Sequence, residues 1–125
     1  MHILLTGAAG MIGRKVTERL LAQGRIGQRE ITKLTLHDVV APDARPTEAT
    51  TILPITGDIS DRTVLDRLIS EKPDMIIHLA AIVSGEAEAD FDKGYAVNLD
   101  GTRHLFEAVR AQNYRPRVIF ASSIA

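Results

Sequence analysis

The amino-acid sequence predicts an α/β fold built on a doubly wound parallel sheet. Three observations support this prediction. Short apolar runs, which are typical of buried strands, alternate with longer segments in which apolar residues recur every three or four positions, as in amphipathic helices. A glycine-rich segment follows the first of the short runs directly. The elements read in the order β-α-β-β-α-β-α-β, and this order provides helices for both faces of one sheet.

The first half of the chain is expected to supply three strands and one helix. The strands are expected at residues 3–5, 34–38 and 51–55. The helix has apolar residues at three helically spaced positions, Ile12, Val16 and Leu20. Gly24 is suited to end that helix, and the proline-containing segment 41–51 is expected to be a loop. Pro54 should lie at the end of the third, weaker strand because proline has no N–H to donate to a sheet.

The second half is expected to supply two helices and two strands. Ser60 should cap a helix that ends before Pro73, and its apolar face consists of Val64, Leu65, Leu68 and Ile69. Residues 75–81 are nearly all apolar, as expected for a strand covered on both faces. A long helix follows, with charges on one face and an apolar stripe on the other, formed by Phe91, Tyr95, Leu99, Thr102, Phe106 and Val109. Residues 118–121 should form the fifth strand.

The composition indicates one soluble domain of 125 residues and excludes several functions. With 15 Lys and Arg against 16 Asp and Glu, the net charge is −1, which disfavours nucleic acid or an anionic membrane as a partner. The absence of cysteine excludes a disulfide framework, a thiolate metal site and a cysteine nucleophile, and no metal site is expected. Neither a signal peptide nor an apolar run of spanning length is visible, so a cytoplasmic location is expected.

Three glycines, Gly7, Gly10 and Gly13, connect the first strand to the first helix. The start of a helix presents unpaired N–H groups and the positive end of the helix dipole, which suit a pyrophosphate group. Glycine permits the tight turn, the approach of the backbone to the phosphates and the packing of the helix on the strand. The segment therefore indicates a dinucleotide-binding loop, which includes Met11 and Ile12. The alternative is an ordinary tight turn.

An acidic residue, Asp38, ends the second strand and lies 25 positions after Gly13. In dinucleotide-binding folds, a carboxylate roughly 20 residues after the glycine motif binds the ribose hydroxyls of the adenosine. Such a carboxylate would repel a 2′-phosphate, so NAD rather than NADP is the expected cofactor. The alternative is that Asp38 is a turn residue before Val39.

The glycine segment does not match the phosphate-binding loop of nucleoside triphosphatases. That motif has four residues between two glycines and a lysine directly after the second. Here five residues separate Gly7 from Gly13, Arg14 follows Gly13, and Thr17 is displaced. A triphosphate site of that type is therefore excluded.

Several further motifs accompany the glycine segment and Asp38. They are Gly57-Asp58-Ile59, His78-Leu79-Ala80-Ala81, Val97-Asn98-Leu99-Asp100-Gly101-Thr102 and Ser122-Ser123. Together, and in this order, these motifs resemble the extended short-chain dehydrogenases/reductases, the group of NAD-dependent sugar epimerases, dehydratases and related dehydrogenases. More narrowly, residues 36–42, 81–88 and 120–125 resemble the D-erythronate dehydrogenase subfamily. The resemblance implies a Rossmann-type fold, of which this chain would hold the first five strands.

The resemblance also implies roles for the residues that match the family's motifs. Asp58 would lie near the amino group of the adenine, and Ile59 against the adenine ring. Leu79, Ala80 and Ala81 would line the cofactor with backbone and small side chains. Taken alone, these residues are equally consistent with a strand-end turn and buried strand ends.

The same resemblance assigns the remaining polar candidates. Asn98 would organise the active site on its cofactor side, and Ser122 would place backbone near the nicotinamide. Ser123 matches the catalytic Ser/Thr, which hydrogen-bonds the substrate hydroxyl or carbonyl, and Ser84 would face the sugar acid. Without the resemblance, the paired serines are better explained as the end of a strand.

Two further groups of polar residues are expected to be structural. His78 has core residues as its neighbours and no adjacent carboxylate, which favours a structural role over acid–base catalysis. Glu86, Glu88, Asp90 and Asp92 should form a solvated face near a helix amino terminus. Because they would repel an anionic substrate, they are expected to point away from the pocket.

The chemistry implied by the resemblance also needs a Tyr base and a Lys four residues later, since burial and the cation lower the Tyr pKa. The residues four positions after Tyr95 and Tyr114 are Leu99 and Val118, and no Lys follows Lys93. The pair, with the later strands and the substrate-binding region, is therefore expected beyond residue 125. The 125 residues would form the amino-terminal, NAD-binding part of a longer protein that acts as a homodimer.

Two classes of function remain open. The first is an NAD-dependent dehydrogenase that oxidises the C2 hydroxyl of a small sugar acid such as D-erythronate to the 2-oxo acid. Within this enzyme class, a nucleotide-sugar epimerase or dehydratase is the nearest alternative. The second class is a non-catalytic NAD-binding or redox-sensing module. Ser123 and Asn98 favour an enzyme, because a sensor has no need of an active-site serine.

Overall fold

The computed structural model describes residues 1–43, 45 and 47–122. The elements in chain order are β1 (His2–Thr6), α1 (Met11–Gln23), β2 (Arg25–Ile26), β3 (Arg29–Glu30), β4 (Lys33–Asp38), β5 (Thr51–Thr56), α2 (Arg62–Ser70), β6 (Met75–His78), α3 (Ser84–Ala89), α4 (Phe91–Gly94), a π-helical segment (Tyr95–Gly101), α5 (Thr102–Ala111) and β7 (Arg117–Phe120). No helix in these residues is long and apolar enough to cross a membrane.

Five parallel strands form the main sheet in the order β5-β4-β1-β6-β7. The central strand β1 pairs with β4 on one side and with β6 on the other, so the strand order reverses at β1. Thr6 is in register with both His37 and His78, which brings the carboxyl ends of these three strands to one edge. In open α/β sheets, ligands bind at such a reversal point, outside the carboxyl ends of the strands.

Both faces of the sheet are covered, and this confirms the predicted doubly wound architecture. Alternate residues of a strand point to opposite faces. On one face, residues of the strands pack with Leu20 of α1, and this core contains Ile3, Leu5, Leu34, Leu36, Met75 and Ile77. On the other face, residues of α2 and α5 pack on the strands, and that core contains Leu4, Ile59, Leu65, Leu68, Ile69, Ile76, Leu105 and Ala108.

Several boundaries differ from the sequence prediction. Pro54 lies inside β5 rather than at its end, and the sheet tolerates it because β5 is an edge strand in which alternate N–H groups face away from the neighbour. Asp61 rather than Ser60 caps α2, since its carboxylate accepts from the Thr63 N–H at 2.8 Å. The strand predicted over residues 75–81 corresponds to β6 and ends at His78, so residues 79–81 lie beyond it. The short β2–β3 hairpin was not predicted, because two-residue strands show no periodicity.

The predicted helix across residues 91–109 is present, since the chain is helical without a break from Phe91 to Ala111, but the predicted apolar face is wrong. The chain forms α4, the π-helical segment and α5 in succession, and most of the predicted apolar stripe is exposed: Phe91, Tyr95, Leu99 and Phe106. The buried residues, Gly94, Gly101, Leu105 and Ala108, each lie one position before a stripe residue. The offset is the same before and after the π-helical segment, so the buried face is displaced by one position along the whole helix.

Candidate functional site

A cavity of about 500 Å³ lies at the carboxyl edge of the sheet, where the strand order reverses. Its lining brings together eight residues predicted for cofactor binding: Gly7, Gly10, Asp38, Asp58, Ile59, Leu79, Ala80 and Ala81. These residues come from loops that follow four different strands, and they meet because parallel strands end at the same edge.

The glycine loop forms one wall of the cavity and is packed tightly against the segment that follows β6. Gly7 has a φ of +74°, which favours glycine, and a Cβ atom there would lie 2.7 Å from the backbone of Leu79 and Ala80. A Cβ atom at Gly13 would clash with the Gly7 carbonyl oxygen. The loop therefore presents bare backbone to the cavity at Gly7 and Gly10, while Gly13 lets α1 approach the strand.

Asp38 connects the end of β4 to the glycine loop. Its Oδ2 accepts from the Ala9 N–H at 2.8 Å, and its Oδ1 accepts from the Val39 N–H at 2.7 Å. The Ala8 N–H donates to the His37 carbonyl at 3.1 Å and ties the same two segments together. The carboxylate is thus fixed at the cavity wall beside the loop.

Asp58 and Ile59 form the part of the wall that follows β5. One oxygen of Asp58 accepts both from the Ser60 N–H at 2.8 Å and from the Ser60 hydroxyl at 2.7 Å. Ile59 is only 2% exposed, because it reaches into the core beside Leu65 and Leu105 as well as lining the cavity. The backbone of this turn is therefore anchored by an apolar side chain and held by a carboxylate.

His78 lies in the core behind the cavity, in agreement with its predicted structural role. Its Nδ1 is 2.7 Å from the Thr6 hydroxyl, and its Nε2 is 3.1 Å from the Thr102 hydroxyl. Burial lowers the pKa of His78 to about 4, and proximity to His37 adds to the shift. A histidine that stays neutral, with both nitrogens hydrogen-bonded inside the protein, is a structural connector between the sheet and α5.

His37 is a cavity residue that sequence reasoning did not identify. Its side chain is 1% exposed, and neither ring nitrogen has a hydrogen-bond partner in the described part of the chain. Burial is the main cause that lowers its pKa, against the opposing effects of Asp38, the Gly57 backbone and Asp58. The strand pattern marked position 37 only as buried, which gave no signal of a role at the cavity.

A second cavity, of about 420 Å³, lies between α3 and the π-helical segment. Ser84 and Asn98 line this cavity and not the first. The Asn98 side chain accepts from the Ile82 N–H at 2.8 Å and donates to the Ile82 carbonyl at 3.0 Å. Asn98 thus ties the π-helical segment to the loop after β6, and its role toward a cofactor stays a prediction.

The prediction that the acidic residues after Ser84 point away from the pocket is wrong for Glu86, which lines the first cavity. Glu88 lines only the second cavity. The Glu86 carboxylate accepts from Lys93 Nζ at 2.6 Å, and this ion pair offsets the repulsion that the prediction assumed. Glu86 also raises the pKa of Lys93, with smaller contributions from Asp90 and Asp58.

Besides Ser84 and Asn98, four described residues that were predicted for the site do not line the first cavity. Met11 and Ile12 project from the first turn of α1 and are mostly exposed, and Gly13 is buried under the loop. Ser122 is exposed at the end of the described chain. The predicted catalytic residue, Ser123, lies outside the described residues.

Some residues that line the first cavity were not predicted. They are Ala9, Arg14, His37, Val39, Val40, Ser60, Ile82, Glu86, Lys93, Ala96 and Val97. Three of them had a sequence signal, since Ala9 lies inside the glycine segment, Arg14 directly follows its last glycine, and Ser60 directly follows Asp58 and Ile59. His37 lies within β4, and the others are brought to the cavity by the path of the chain after β4 and β6, which no local pattern encodes.

Comparison with known proteins identifies the family. The sequence model described as "NAD dependent epimerase/dehydratase family" matches residues 3–125. The chain belongs to this family. The resemblance to extended short-chain dehydrogenases/reductases and the Rossmann-type sheet are thereby confirmed.

Individual members of the epimerase/dehydratase family are similar over the whole chain. The D-erythronate dehydrogenase of Cupriavidus necator is 46% identical, with 100% of this chain and 39% of the relative covered. A structure described as the nucleoside-diphosphate-sugar epimerase from Agrobacterium tumefaciens is 51% identical, with a TM-score of 0.96, and the match covers 100% of this chain and 38% of that one.

A third relative was solved with a cofactor. A short-chain dehydrogenase/reductase superfamily protein from Agrobacterium tumefaciens with bound NAD is 35% identical, with a TM-score of 0.71, and 98% of this chain and 33% of that chain are covered. The chain spans about two fifths of the length of the curated relatives it matches.

Proposed function

We propose that this chain is the NAD-binding part of an oxidoreductase that acts on a small sugar acid. The observation that carries the proposal is the placement of Asp38 against the glycine loop, at the rim of a cavity at the strand reversal. A carboxylate in that position is suited to the ribose hydroxyls of an adenine dinucleotide, and bare glycine backbone is suited to its pyrophosphate.

The residues of the cavity fit NAD. Gly7 and Gly10 leave room for phosphate because no side chain projects from the loop at these positions. Asp58 would hold the amino group of the adenine, Ile59 would lie against its ring, and Leu79, Ala80 and Ala81 would line the remaining length. Met11, Ile12 and Gly13 would contribute backbone at the start of α1. When bound, NAD supplies the acceptor for a hydride.

Asp38 would also select NAD over NADP. Both of its oxygens are held by backbone N–H groups, so the carboxylate cannot turn away from the cavity rim without losing those bonds. A 2′-phosphate on the adenosine ribose would therefore meet a fixed negative charge.

The proposed reaction is the oxidation of the C2 hydroxyl of a substrate such as D-erythronate. The hydride on C2 would pass to the nicotinamide, and the hydroxyl proton to a Tyr base whose Tyr-x-x-x-Lys motif we place beyond residue 125. Ser123 would hydrogen-bond the reacting hydroxyl, Ser122 would present backbone near the nicotinamide, and Ser84 would face the sugar acid. Asn98 would position the loop at Ile82, next to the cofactor. The similarity to a D-erythronate dehydrogenase supports this substrate class.

The test has two parts. The 125-residue chain, titrated with NAD and NADP, should bind NAD at least about tenfold more tightly, which corresponds to about 1.4 kcal/mol of discrimination. The parent protein, offered four-carbon sugar acids with NAD, should produce NADH with D-erythronate. Failure of the chain to bind NAD, or equal binding of NADP, would contradict the cofactor assignment. Turnover of other substrates only would contradict the substrate assignment.

A nucleotide-sugar epimerase is the second candidate. The similarity to a structure described as a nucleoside-diphosphate-sugar epimerase favours it, since that match has the higher identity. The same assay distinguishes the two, because an epimerase converts a nucleotide sugar without net formation of NADH. A chain that binds NAD within a parent protein inactive on both substrate classes would support the redox-sensing alternative.

We also propose that the parent protein is a homodimer. The exposed side chains of Phe91, Tyr95, Leu99 and Phe106 are a suitable surface for a protein contact. Light scattering of the parent protein should give twice the mass of one chain. A monomer at micromolar concentration would contradict the proposal.

A further inference from the structure

Arg14 is a cavity residue for which neither the glycine motif nor Asp38 accounts. It follows Gly13 in the first turn of α1, and its side chain turns back over the loop. Nε of Arg14 donates to the Ala9 carbonyl at 2.8 Å. The side chain thus lines the cavity beside Gly7 and Gly10, where Arg14 is exposed to solvent.

The charges around the cavity leave Arg14 as a cation without a counter-charge. Five charged side chains line the cavity: Arg14, Asp38, Asp58, Glu86 and Lys93. Lys93 is paired with Glu86. Asp38 and Asp58 accept hydrogen bonds from neutral groups of their own loops or the glycine loop. Within residues 1–43, 45 and 47–122, no carboxylate lies at ion-pair distance from the Arg14 guanidinium.

A cation, Arg14, and an anion, Asp38, lie next to each other because both side chains hydrogen-bond the backbone of Ala9. Asp38 accepts from the Ala9 N–H, and Arg14 donates to the Ala9 carbonyl. The Nε bond to Ala9 uses one of the five N–H donors of a guanidinium, so four remain for a ligand. A guanidinium is planar and matches phosphate oxygens with two parallel hydrogen bonds.

We propose that Arg14 binds a phosphate group of the dinucleotide, while Asp38, which also contacts Ala9, binds its ribose. The inference rests on the proposed function, because it assumes that a dinucleotide enters this cavity. The phosphate could be the pyrophosphate, which both NAD and NADP carry, or the 2′-phosphate, which only NADP carries. The pyrophosphate is the better match, since a 2′-phosphate would have to lie against the Asp38 carboxylate.

The experiment compares Arg14→Gln and Arg14→Lys with Lys15→Gln, using NMR titrations of the 125-residue chain. Lys15 is the next residue of α1, is exposed, and does not line the cavity, so its substitution removes the same charge at a neighbouring position. The ligands are NAD, NADP and adenosine, and adenosine controls for effects on the loop that do not involve phosphate. Thermal unfolding of each variant shows whether the fold is retained.

Arg14→Gln should weaken NAD binding about tenfold, as expected for the loss of a charge-assisted hydrogen-bonded pair. Arg14→Gln should leave the affinity for adenosine unchanged, and Lys15→Gln should change neither the affinity for NAD nor that for adenosine. Arg14→Lys should recover part of the affinity, since the charge remains but the planar fork does not. Equal losses for NAD and NADP would identify the pyrophosphate as the partner, and a loss with NADP alone would identify the 2′-phosphate.

Two results would overturn the inference. If Arg14→Gln binds both NAD and NADP as tightly as the wild-type chain, Arg14 has no ligand role. If Arg14→Gln weakens adenosine and NAD by the same factor, Arg14 acts only by supporting the Ala9 carbonyl. A wild-type chain that binds no dinucleotide would instead contradict the proposed function, and the inference with it.

Discussion

The two walls of the first cavity are built in different ways. The loop wall, residues 7–13, is held by backbone contacts: Gly7 lies against Leu79 and Ala80, and Gly13 lies against the Gly7 carbonyl. The helical wall, residues 82–101, is held by side chains, namely the two hydrogen bonds of Asn98 to Ile82 and the ion pair of Glu86 with Lys93. Much of its surface is exposed, including Phe91, Tyr95 and Leu99.

This difference determines how each wall responds to substitution. In the loop wall, an added methyl group meets backbone that cannot move without shifting a strand or helix. In the helical wall, water can take the place of a surface side chain that a substitution removes and can satisfy the hydrogen bonds of its partner. The addition of a single methyl group should therefore destabilise the loop wall strongly, whereas the helical wall should tolerate small substitutions.

The largest effect is expected from Gly13→Ala. Its Cβ atom would clash with backbone atoms of Gly7 and Ala8, so α1 must move away from β1. We expect a loss of about 4 kcal/mol in the free energy of unfolding, above the usual overpacking effect of about 1–3 kcal/mol, because the clash is with backbone. Urea unfolding followed by circular dichroism measures it.

The matched control is Gly85→Ala in α3 of the helical wall. A Cβ atom at Gly85 meets nothing within 4 Å, so only the backbone entropy changes. This variant should be more stable by roughly 0.5–1 kcal/mol. If Gly13→Ala unfolds at the same urea concentration as the wild-type chain, the described packing of the loop wall is incorrect.

The same contrast explains what could be predicted from the sequence. The position of the loop wall and the part played by Gly7, Gly10 and Asp38 were predicted, because the glycine spacing and Asp38 are local patterns with a direct physical cause, whereas Met11, Ile12 and Gly13 do not line the cavity. The helical wall was not predicted, because the face that its helix buries depends on packing against distant parts of the chain, such as Gly94 against Ala87 and Gly101 against Ile59. Glu86 and Lys93 reach the cavity only through the fold of α3 and α4, which composition does not encode. His37 was missed because a buried strand position and a cavity position have the same sequence pattern.

The second prediction concerns the buried histidines beneath the walls. The pKa of His78 is lowered to about 4, below its ordinary value of 6.5, so the unfolded chain binds a proton that the folded chain does not. The titration of His78 therefore does not affect the free energy of unfolding above pH 6.5, and it lowers that free energy as the pH falls from 6.5 towards 4. Between pH 7 and pH 4.5, His78 should cost about 2.5 kcal/mol of stability. His37 shifts in the same direction, because burial lowers its pKa.

The effect of these histidines on stability can be distinguished from that of the acidic groups, because the two effects occur in different pH ranges. The pKa values of Asp61, Glu71 and Asp74 are lowered by hydrogen bonds, so their stabilising contributions are lost only below their ordinary values near 4. Urea unfolding at pH 7 and pH 4.5 should show a smaller difference for His78→Gln than for the wild-type chain. Ile76→Val, which removes a methyl group from the same strand, should lower stability by about 1 kcal/mol at both pH values. An unchanged pH dependence in His78→Gln would show that His78 is not the buried titrating group.

The smallest effect is expected from Asn98→Ala in the helical wall. This change removes both hydrogen bonds to Ile82, but Asn98 is exposed and water can replace the lost partners. We expect a loss of about 1 kcal/mol in the free energy of unfolding, against less than about 0.5 kcal/mol for the control Asp100→Asn, which breaks only an exposed ion pair with Arg103. Hydrogen exchange should be faster at the Ile82 amide in Asn98→Ala and unchanged at Ala9 in the loop wall. Faster exchange at both positions would mean that the two walls open together, and the distinction between them would then be wrong.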